Sequence, residues 1–412
     1  MAHPRDPRPD DIVVTGTGAV SRFGTEPSHL IAALKAGESP AFDVWPEATA
    51  IGCSCDVIGL VTADLDNEQI GVDRKSARFL GKASRMALYA ARSALREAQI
   101  DTEGLAVIVG SGTGDVQTHR DVEGIVSKGT VRGIGPTVIP RIMASTVSAN
   151  LVNVLKATGP SMSASAACAG GAWNLLIAAQ VVRDGFAPAA IAGGTEVLDM
   201  HFHAGFDAMR AYNRTGSEDR VRPSRPYAAD RAGFIFGEAA GIVVLERRDR
   251  AEARNQPILG TLLGWGMSSD GQGEMVAPFA GGAAKAMRAA LRHSGLAASE
   301  VEYVNTHGTS TPVGDVTEVQ ALREVFGDHR PAYGSTKGYT GHSISAAGAI
   351  EAIATLAMIR EGFIAPSVHA DPLDPALEDW PPVLEMAQRP LSVALSNSFG
   401  FGGTNVTLAL GR

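Results

Sequence analysis

Between Lys156 and Arg183 the chain carries no charged residue. Gly159, Pro160, Gly170, Gly171, Asn174, Gln180 and several serines interrupt this stretch, so it is not a membrane span. The pattern divides it in two. "SMSASAA" predicts a buried strand, and "AGGAWNLLIAAQVVRDG" predicts a helix closed by Gly185. That helix is apolar on nearly all sides and so has to be buried all round. Burial of that kind calls for helices sandwiched between sheets.

The same alternation runs along the rest of the chain. "DIVVTGTG" and "LAVIVGSGTGD" predict strands that enter glycine turns, and "ASRMALYAARSALREAQ" predicts an amphipathic helix. Later come "PILGTLLGWGMSSDG", the helix "GAAKAMRAALRHSG", the strand "VEYVNT" and the loop "HGTSTPVGD". This order predicts an α/β fold. An internal repeat organises it. "CAGGA" followed by "RDGF" returns as "SAAGA" followed by "REGF", which sets Ser345 177 residues after Cys168. "FIFGEAAGIVVLE" (234–246) returns as "FGFGGTNVTLALG" (399–411). Repeats of this size predict duplicated halves. The charged stretch "ERRDRAEARNQP" marks their boundary, giving halves at 12–255 and 256–412 after a frayed tail at 1–11. Residues 200–235, rich in arginine, read as a surface excursion of the first half.

Composition adds limits. A chain of 412 residues with 45% hydrophobic and 19% charged residues is globular and long enough for two large units. Its net charge of -8 argues against nucleic acid or an anionic membrane as the main partner. Three cysteines imply no disulfide framework and a reducing, cytoplasmic setting. The charged, proline-rich opening lacks a signal-peptide core.

Cys168 falls at a strand-to-helix turn, where helix N–H groups stabilise a thiolate or an oxyanion. Packing is the commoner fate of a lone cysteine. Cys53 and Cys55 read as packing residues with no metal cluster around them. His307, His342 and Lys337 lie in Gly/Thr/Ser-rich loops after strands, where catalytic groups collect in α/β proteins. Spacing alone makes these a possible thiol enzyme. The loops "TGTGAV" and "GSGTGD" lack the spacing of a dinucleotide site.

"SAACAGG", "NTHGTSTPVGD", "STKGYTGHS" and "SNSFGFGGTN" resemble the four active-site motifs of the β-ketoacyl-ACP synthases, the Cys–His–His ketosynthases. The resemblance runs from Ile12 to Leu410 and is closest to the synthase I branch, through "GVDRKSARF", "MASTVSANL", "GFDAM", "HGTSTPVGDV", "REVFGD" and "GFIAPS". It implies the thiolase fold, five αβαβα layers built from two duplicated halves. It also implies decarboxylative condensation of an acyl chain on Cys168 with malonyl-ACP, with no metal and no cofactor beyond the carrier's phosphopantetheine.

Site roles follow from the same resemblance. His307 and His342 stabilise the enolate, and the N–H groups of Cys168 and Phe401 hold the oxyanion. Lys337 and Glu318 form a buried ion pair. Phe401 gates the acyl pocket, with Phe399 and Gly402 in the same loop. Thr309 and Thr311 bind the pantetheine arm. Met143, Phe202 and Phe206 line the acyl pocket, and Phe202 replaces a usual methionine, which implies a narrower chain-length range. "CAGG" stands where "CATS" is usual. Arg74, Lys75, Arg78, Lys128 and Arg132 face the acidic acyl carrier protein. The resemblance implies a homodimer formed near the cysteine segment, or a heterodimer with a chain-length factor, and no nucleic-acid or membrane partner. Cys168 argues against a silent chain-length factor, the lack of a later cysteine against a thiolase, and His342 against synthase III. Fatty acid elongation and a type II polyketide or polyene pathway both stay open.

Overall fold

The computed structural model describes residues 6–412. Residues 1–5 of the expected tail lie outside the described residues. Ordered chain begins earlier than the sequence suggested, because Asp249 N donates to Pro9 O and Arg248 N donates to Asp11 O.

The first half contributes strands β1 (Ile12–Ser21), β2 (Ala106–Gly110), β3 (Ser161–Met162), β4 (Ala189–Glu196) and β5 (Ala239–Arg247), with helices α1 (Lys82–Ala98), α2 (Gly170–Arg183) and α3 (Met200–Ala208). The second contributes β6 (Gly260–Ser269), β7 (Tyr303–Asn305), β8 (Ala332–Gly334), β9 (Val393–Gly400) and β10 (Thr404–Gly411), with α4 (Ala280–Ser294), α5 (Gly314–Phe326), α6 (Lys337–Thr340) and α7 (Ala347–Glu361). The strand order is β8-β7-β9-β10-β6-β1-β5-β4-β2-β3. Read outward from the middle, the two halves repeat one order. In each, the first and last strands pair antiparallel and the inner crossovers are parallel. Within the sheet, Ile12–Val14 pairs with Gly260–Leu262 and joins the halves.

Five layers result. Helix α1 covers the outer face of β1, β5 and β4, and α4 covers β6 and β10. Helices α2 and α7 form the central layer, touching strands of both halves. Their closest approach is set by Gly171 and Gly348. A Cβ on Gly171 would lie 2.8 Å from Ser345 O, and one on Gly348 would lie 2.7 Å from Ala172 N. The core is correspondingly rich in alanine, from Ala172 to Ala179 on α2 and Ala349 to Ala357 on α7. This is the thiolase fold that the resemblance implied, and its two halves are the duplication that the repeat predicted.

Three expectations change. "SMSASAA" is not a buried strand, since only Ser161–Met162 pair, at the sheet edge, and both are exposed. From there the chain leaves the sheet toward the turn at Cys168, held by Ser163 Oγ donating to Val109 O and Ala164 N to Asn174 Oδ1. Helix α2 is not buried all round in one chain. Trp173, Ile177, Gln180 and Val181 form a half-buried stripe at helical spacing, and Phe186 beyond it is 73% exposed. Residues 200–235 are no surface excursion either. Tyr212, Tyr227, Arg225 and Arg231 are buried. Arg231 donates to Thr311 O and Pro312 O, and Tyr227 N and Ser310 N donate to Asp315, which α5 presents. Arg231, one of the arginines that suggested solvent, is spent on carbonyls and a carboxylate of the second half.

Candidate active site

Cys168 occupies a single 3₁₀ turn, Ala167–Ala169, that leads into α2. Ala167 takes a left-handed backbone, φ 46°, which turns the cysteine away from the helix axis. Gly400, at the end of β9, lies against this turn. A Cβ there would sit 3.2 Å from Cys168 N and 2.8 Å from Ala166 O, so only glycine fits.

His307 follows β7. Its backbone N–H and that of Gly308 both donate to Glu318 on α5, each at 2.9 Å, and Asn397 Nδ2 donates to the same carboxylate. His342 follows α6, tied by His342 N donating to Ile235 O and Gly237 N donating to His342 O. The two imidazole rings meet edge to face, centroids 5.2 Å apart. Cys168 Sγ and one ring nitrogen of each histidine lie within 4.8 Å of one another. Both ring nitrogens of His342 and Nδ1 of His307 are buried without a hydrogen-bond partner, so they are free for a ligand.

The expected partner of Lys337 is corrected. Its ammonium pairs with Glu351 on α7 and donates to His307 O at 2.6 Å, both groups being buried. Glu318 instead spends its oxygens on backbone N–H groups and Asn397. Glu351 was detectable, because it is the one charge among residues 347–359, the body of α7. Asp315 and Arg231, which clamp the loop carrying Thr309 and Thr311, gave no periodic signal.

Burial dominates the electrostatics. It pushes the Cys168 thiol up to about 12, against the pull of Lys337 and of the N–H groups of Phe401 and Cys168; Glu196 adds to the rise. The thiolate expected from a helix end is therefore not the resting form. Burial, then Lys337, holds His342 far below the usual imidazole range; His307 is lowered by burial, Lys337 and His342. Both imidazoles are neutral at pH 7. Burial raises Glu351 to about 7, with Lys337 pulling it back.

The three groups open into a cavity of about 390 Å³. Phe206, Thr309, Thr311, Phe399, Phe401 and Glu318 line it. Rings of Phe401, Phe206, Phe234 and His342 follow one another at centroid distances of 6.2, 5.3 and 5.4 Å. Gly402, φ 81°, donates its N–H to Met275 O across the mouth. Thr309 and Thr311 hydroxyls lie 3.1 Å apart. Met143 and Phe202 are not among the lining residues. Phe202 is 38% exposed and reaches the cavity only through Phe206, ring centroids 6.1 Å apart. The buried residue of that segment is His203, which packs on Trp45 and Tyr212. Arg74, Lys75, Arg78, Lys128 and Arg132 are exposed and stand outside the cavity lining.

Residues 9–251 match the family model for the "Beta-ketoacyl synthase, N-terminal domain", and residues 259–371 match that for its C-terminal domain. The chain belongs to the β-ketoacyl synthase family. It is thus a condensing, acyl-transferring enzyme. It is 38% identical to the 3-oxoacyl-[acyl-carrier-protein] synthase 1 of Haemophilus influenzae, over 97% of this chain and 98% of that one. The synthase 1 of Escherichia coli K12 is 37% identical with the same coverage. A β-ketoacyl synthase crystal structure from Burkholderia phymatum superposes with a TM-score of 0.90 at 30% identity, covering 98% of this chain and 99% of that one. The ishigamide ketosynthase/chain length factor superposes at 0.87 with 29% identity, covering 98% and 99%. Among the described residues no helix is long and apolar enough to cross a membrane.

Proposed function

We propose that this β-ketoacyl synthase condenses an acyl chain held on Cys168 with malonyl-ACP, giving 3-oxoacyl-ACP and CO2 in fatty acid chain elongation. The observation that carries the reading is the meeting of one thiol and two unpartnered neutral imidazoles at the floor of an apolar cavity. Cys168 Sγ attacks the acyl thioester, and the N–H groups of Cys168 and Phe401 face the developing oxyanion. The carrier thiol leaves with the proton the cysteine gives up. Malonyl-ACP then enters, and the imidazole N–H groups of His307 and His342 bind its thioester carbonyl. Loss of CO2 leaves an enolate whose carbon attacks the acyl–Cys168 carbonyl. Collapse of that adduct expels the Cys168 thiolate, which takes a proton. Neutral imidazoles suit this task because they donate without competing as acids.

Decarboxylation drives the step, so the reaction calls for no metal or redox cofactor. Thr309 and Thr311 take the pantetheine arm, and Phe401 with Phe399 and Gly402 forms the gate. The exposed basic residues from Arg74 to Arg132 meet the acidic carrier in the cytoplasm. The half-buried stripe of α2 and the open edge of β3 support a homodimer, across which Met143 and Phe202 would reach an acyl tunnel. A second reading has support in the fit to the ishigamide ketosynthase/chain length factor: an active ketosynthase of a polyketide or polyene pathway, paired with such a factor.

The test is incubation of the purified chain with acyl-ACPs of graded length, followed by peptide mass spectrometry and addition of malonyl-ACP. Acylation confined to Cys168, then release of CO2 and 3-oxoacyl-ACP, is expected. Acylation elsewhere, or none with any carrier, overturns the reading. Activity only after co-purification with a silent partner chain favours the second one.

A further inference from the structure

The catalytic trio has a second chemical property that condensation does not use. Among the described residues, Cys168, His307 and His342 are the one group of three His, Cys or carboxylate side chains whose ligand atoms converge, all within 4.8 Å of one another. One sulfur and two imidazole nitrogens make a donor set with no oxygen in it. Such a set favours zinc(II) and its soft relatives over magnesium or calcium. Three protein ligands and one open position is also the arrangement of zinc sites that exchange a small ligand. Here the open position faces the cavity.

We infer that Cys168, His307 and His342 bind one soft divalent cation, zinc(II) being the type, and that its occupancy excludes the acyl primer from Cys168.

The geometry needs a modest closure. Zn–S near 2.3 Å and Zn–N near 2.05 Å place tetrahedral neighbours about 3.3–3.6 Å apart. His342 can rotate toward that position without breaking a hydrogen bond, since neither ring nitrogen has a partner. His307 Nδ1 is equally free. The thiol proton passes to solvent as the Zn–S bond forms. Lys337 opposes the cation, yet its charge is met by Glu351, so the opposition lowers the affinity without closing the site. Acylation of Cys168 removes the sulfur ligand and fills the open position, so cation and primer compete for the same atom. The cation site rests on the geometry alone, and its competition with the primer rests on the proposed reaction.

The full-length protein is titrated with cobalt(II), whose spectrum reports ligands directly. One cobalt per chain is expected, with a thiolate-to-metal charge-transfer band and the ligand-field pattern of a four-coordinate centre. Zinc(II) should displace it, and excess magnesium should not. Protein alkylated at Cys168, with its fold checked by circular dichroism, should lose the band and bind more than about 100-fold more weakly, since even outer-shell partners are worth 10–100-fold. His342→Ala should weaken binding similarly. Zinc should slow acylation by acyl-ACP, and a chelator should restore it. A band that survives alkylation of Cys168, a six-coordinate spectrum, or zinc protection of Cys53 in place of Cys168 overturns the inference. Protein that shows the band but condenses nothing removes the proposed function and leaves the cation site standing.

Discussion

Cys168 and Ser345 sit on matching turns at the heads of the two central helices. Ala167–Ala169 and Ile344–Ala346 are both single 3₁₀ turns, and the residues that open them, Ala167 and Ile344, share a left-handed backbone at φ 46° and 43°. Three residues beyond Cys168 and Ser345, Gly171 and Gly348 let the helices touch. The difference lies in what the neighbouring strand places against each turn. Glu196 pairs with Ala239, and Gly400 pairs with Thr404. Because Ala239 and Thr404 match in the repeat, Glu196 and Gly400 stand at equivalent places. Gly400 leaves Cys168 N open to the cavity. Glu196 fills the other turn with a carboxylate, accepting from Ser345 N at 3.3 Å, Gly112 N at 2.9 Å and the Ser111 and Thr113 hydroxyls. Duplication supplies two turns able to hold an anion. In the proposed reaction one would hold a substrate's oxyanion, whereas the other holds an internal carboxylate that makes it structure.

Removing the reactive member breaks the comparison most completely. Cys168→Ala should abolish condensation and 3-oxoacyl-ACP formation, while malonyl-ACP decarboxylation persists in part because His307 and His342 remain. Measured CO2 release without condensation product is the signature. Loss of both activities together with an unchanged fold contradicts separate roles for the thiol and the imidazoles.

The next largest effect concerns the ion pair that only the second half carries. Glu351→Ala leaves the Lys337 ammonium buried and unpaired, which costs about 3–5 kcal/mol of stability. Lys337→Met with Glu351→Leu removes both charges and should recover most of that loss in denaturant titrations. Activity should stay low in the double variant, because His307 O loses its donor. Equal stability of the single and double variants rejects the pairing.

This pair shows how far the sequence could be read. The repeat, the halves and the central helix follow from hydrophobic pattern, because burial on two sides forbids charge on α2 and on most of α7. Cys168, His307 and His342 carried motif context, and the structure brings them together. Partners were less legible. Lys337 is fourteen residues from Glu351 and nineteen from Glu318 along the chain, and no spacing rule chooses between carboxylates brought together by tertiary folding. The arginine-rich segment at 200–235 misled for a related reason. Local composition reads arginine as solvent, whereas Arg231 is buried against carbonyls of the other half. Met143 and Phe202 fall outside the cavity lining of a single chain, where no local pattern bears on their placement.

A smaller effect should come from the carboxylate that distinguishes the silent turn. Glu196→Gln keeps an oxygen for Gly112 N and Ser345 N, and the Ser111 and Thr113 hydroxyls can rotate to accept from the new amide. The cost is about 1 kcal/mol. Loss of the charge also removes one contribution that raises the Cys168 thiol. The thiolate is the species that alkylates, so wild-type alkylation of Cys168 should climb steadily from pH 7 to 10 without levelling, the thiol lying near 12. In Glu196→Gln the same curve should shift to lower pH. Superimposable curves for the two proteins contradict any electrostatic reach of Glu196 to Cys168.

The smallest effect sharpens the comparison by making the turns chemically alike. Ser345→Cys places a thiol on the second turn with the same backbone as the first. Ser345 is buried and does not line the cavity, and a Cβ on neighbouring Gly170 would lie only 3.2 Å from its Oγ. Sulfur is bulkier than oxygen, so mild overpacking should cost about 1 kcal/mol. Condensation should be unchanged, acyl-ACP should label Cys168 alone, and Cys168→Ala combined with Ser345→Cys should stay inactive. The reason is access: Glu196 occupies the anion position beside Ser345 N, and Ser345 is buried away from the residues that line the cavity. Acyl transfer to the new cysteine, detected by peptide mapping, would show instead that turn geometry alone suffices for reactivity and that the space left by Gly400 is not what separates the two halves.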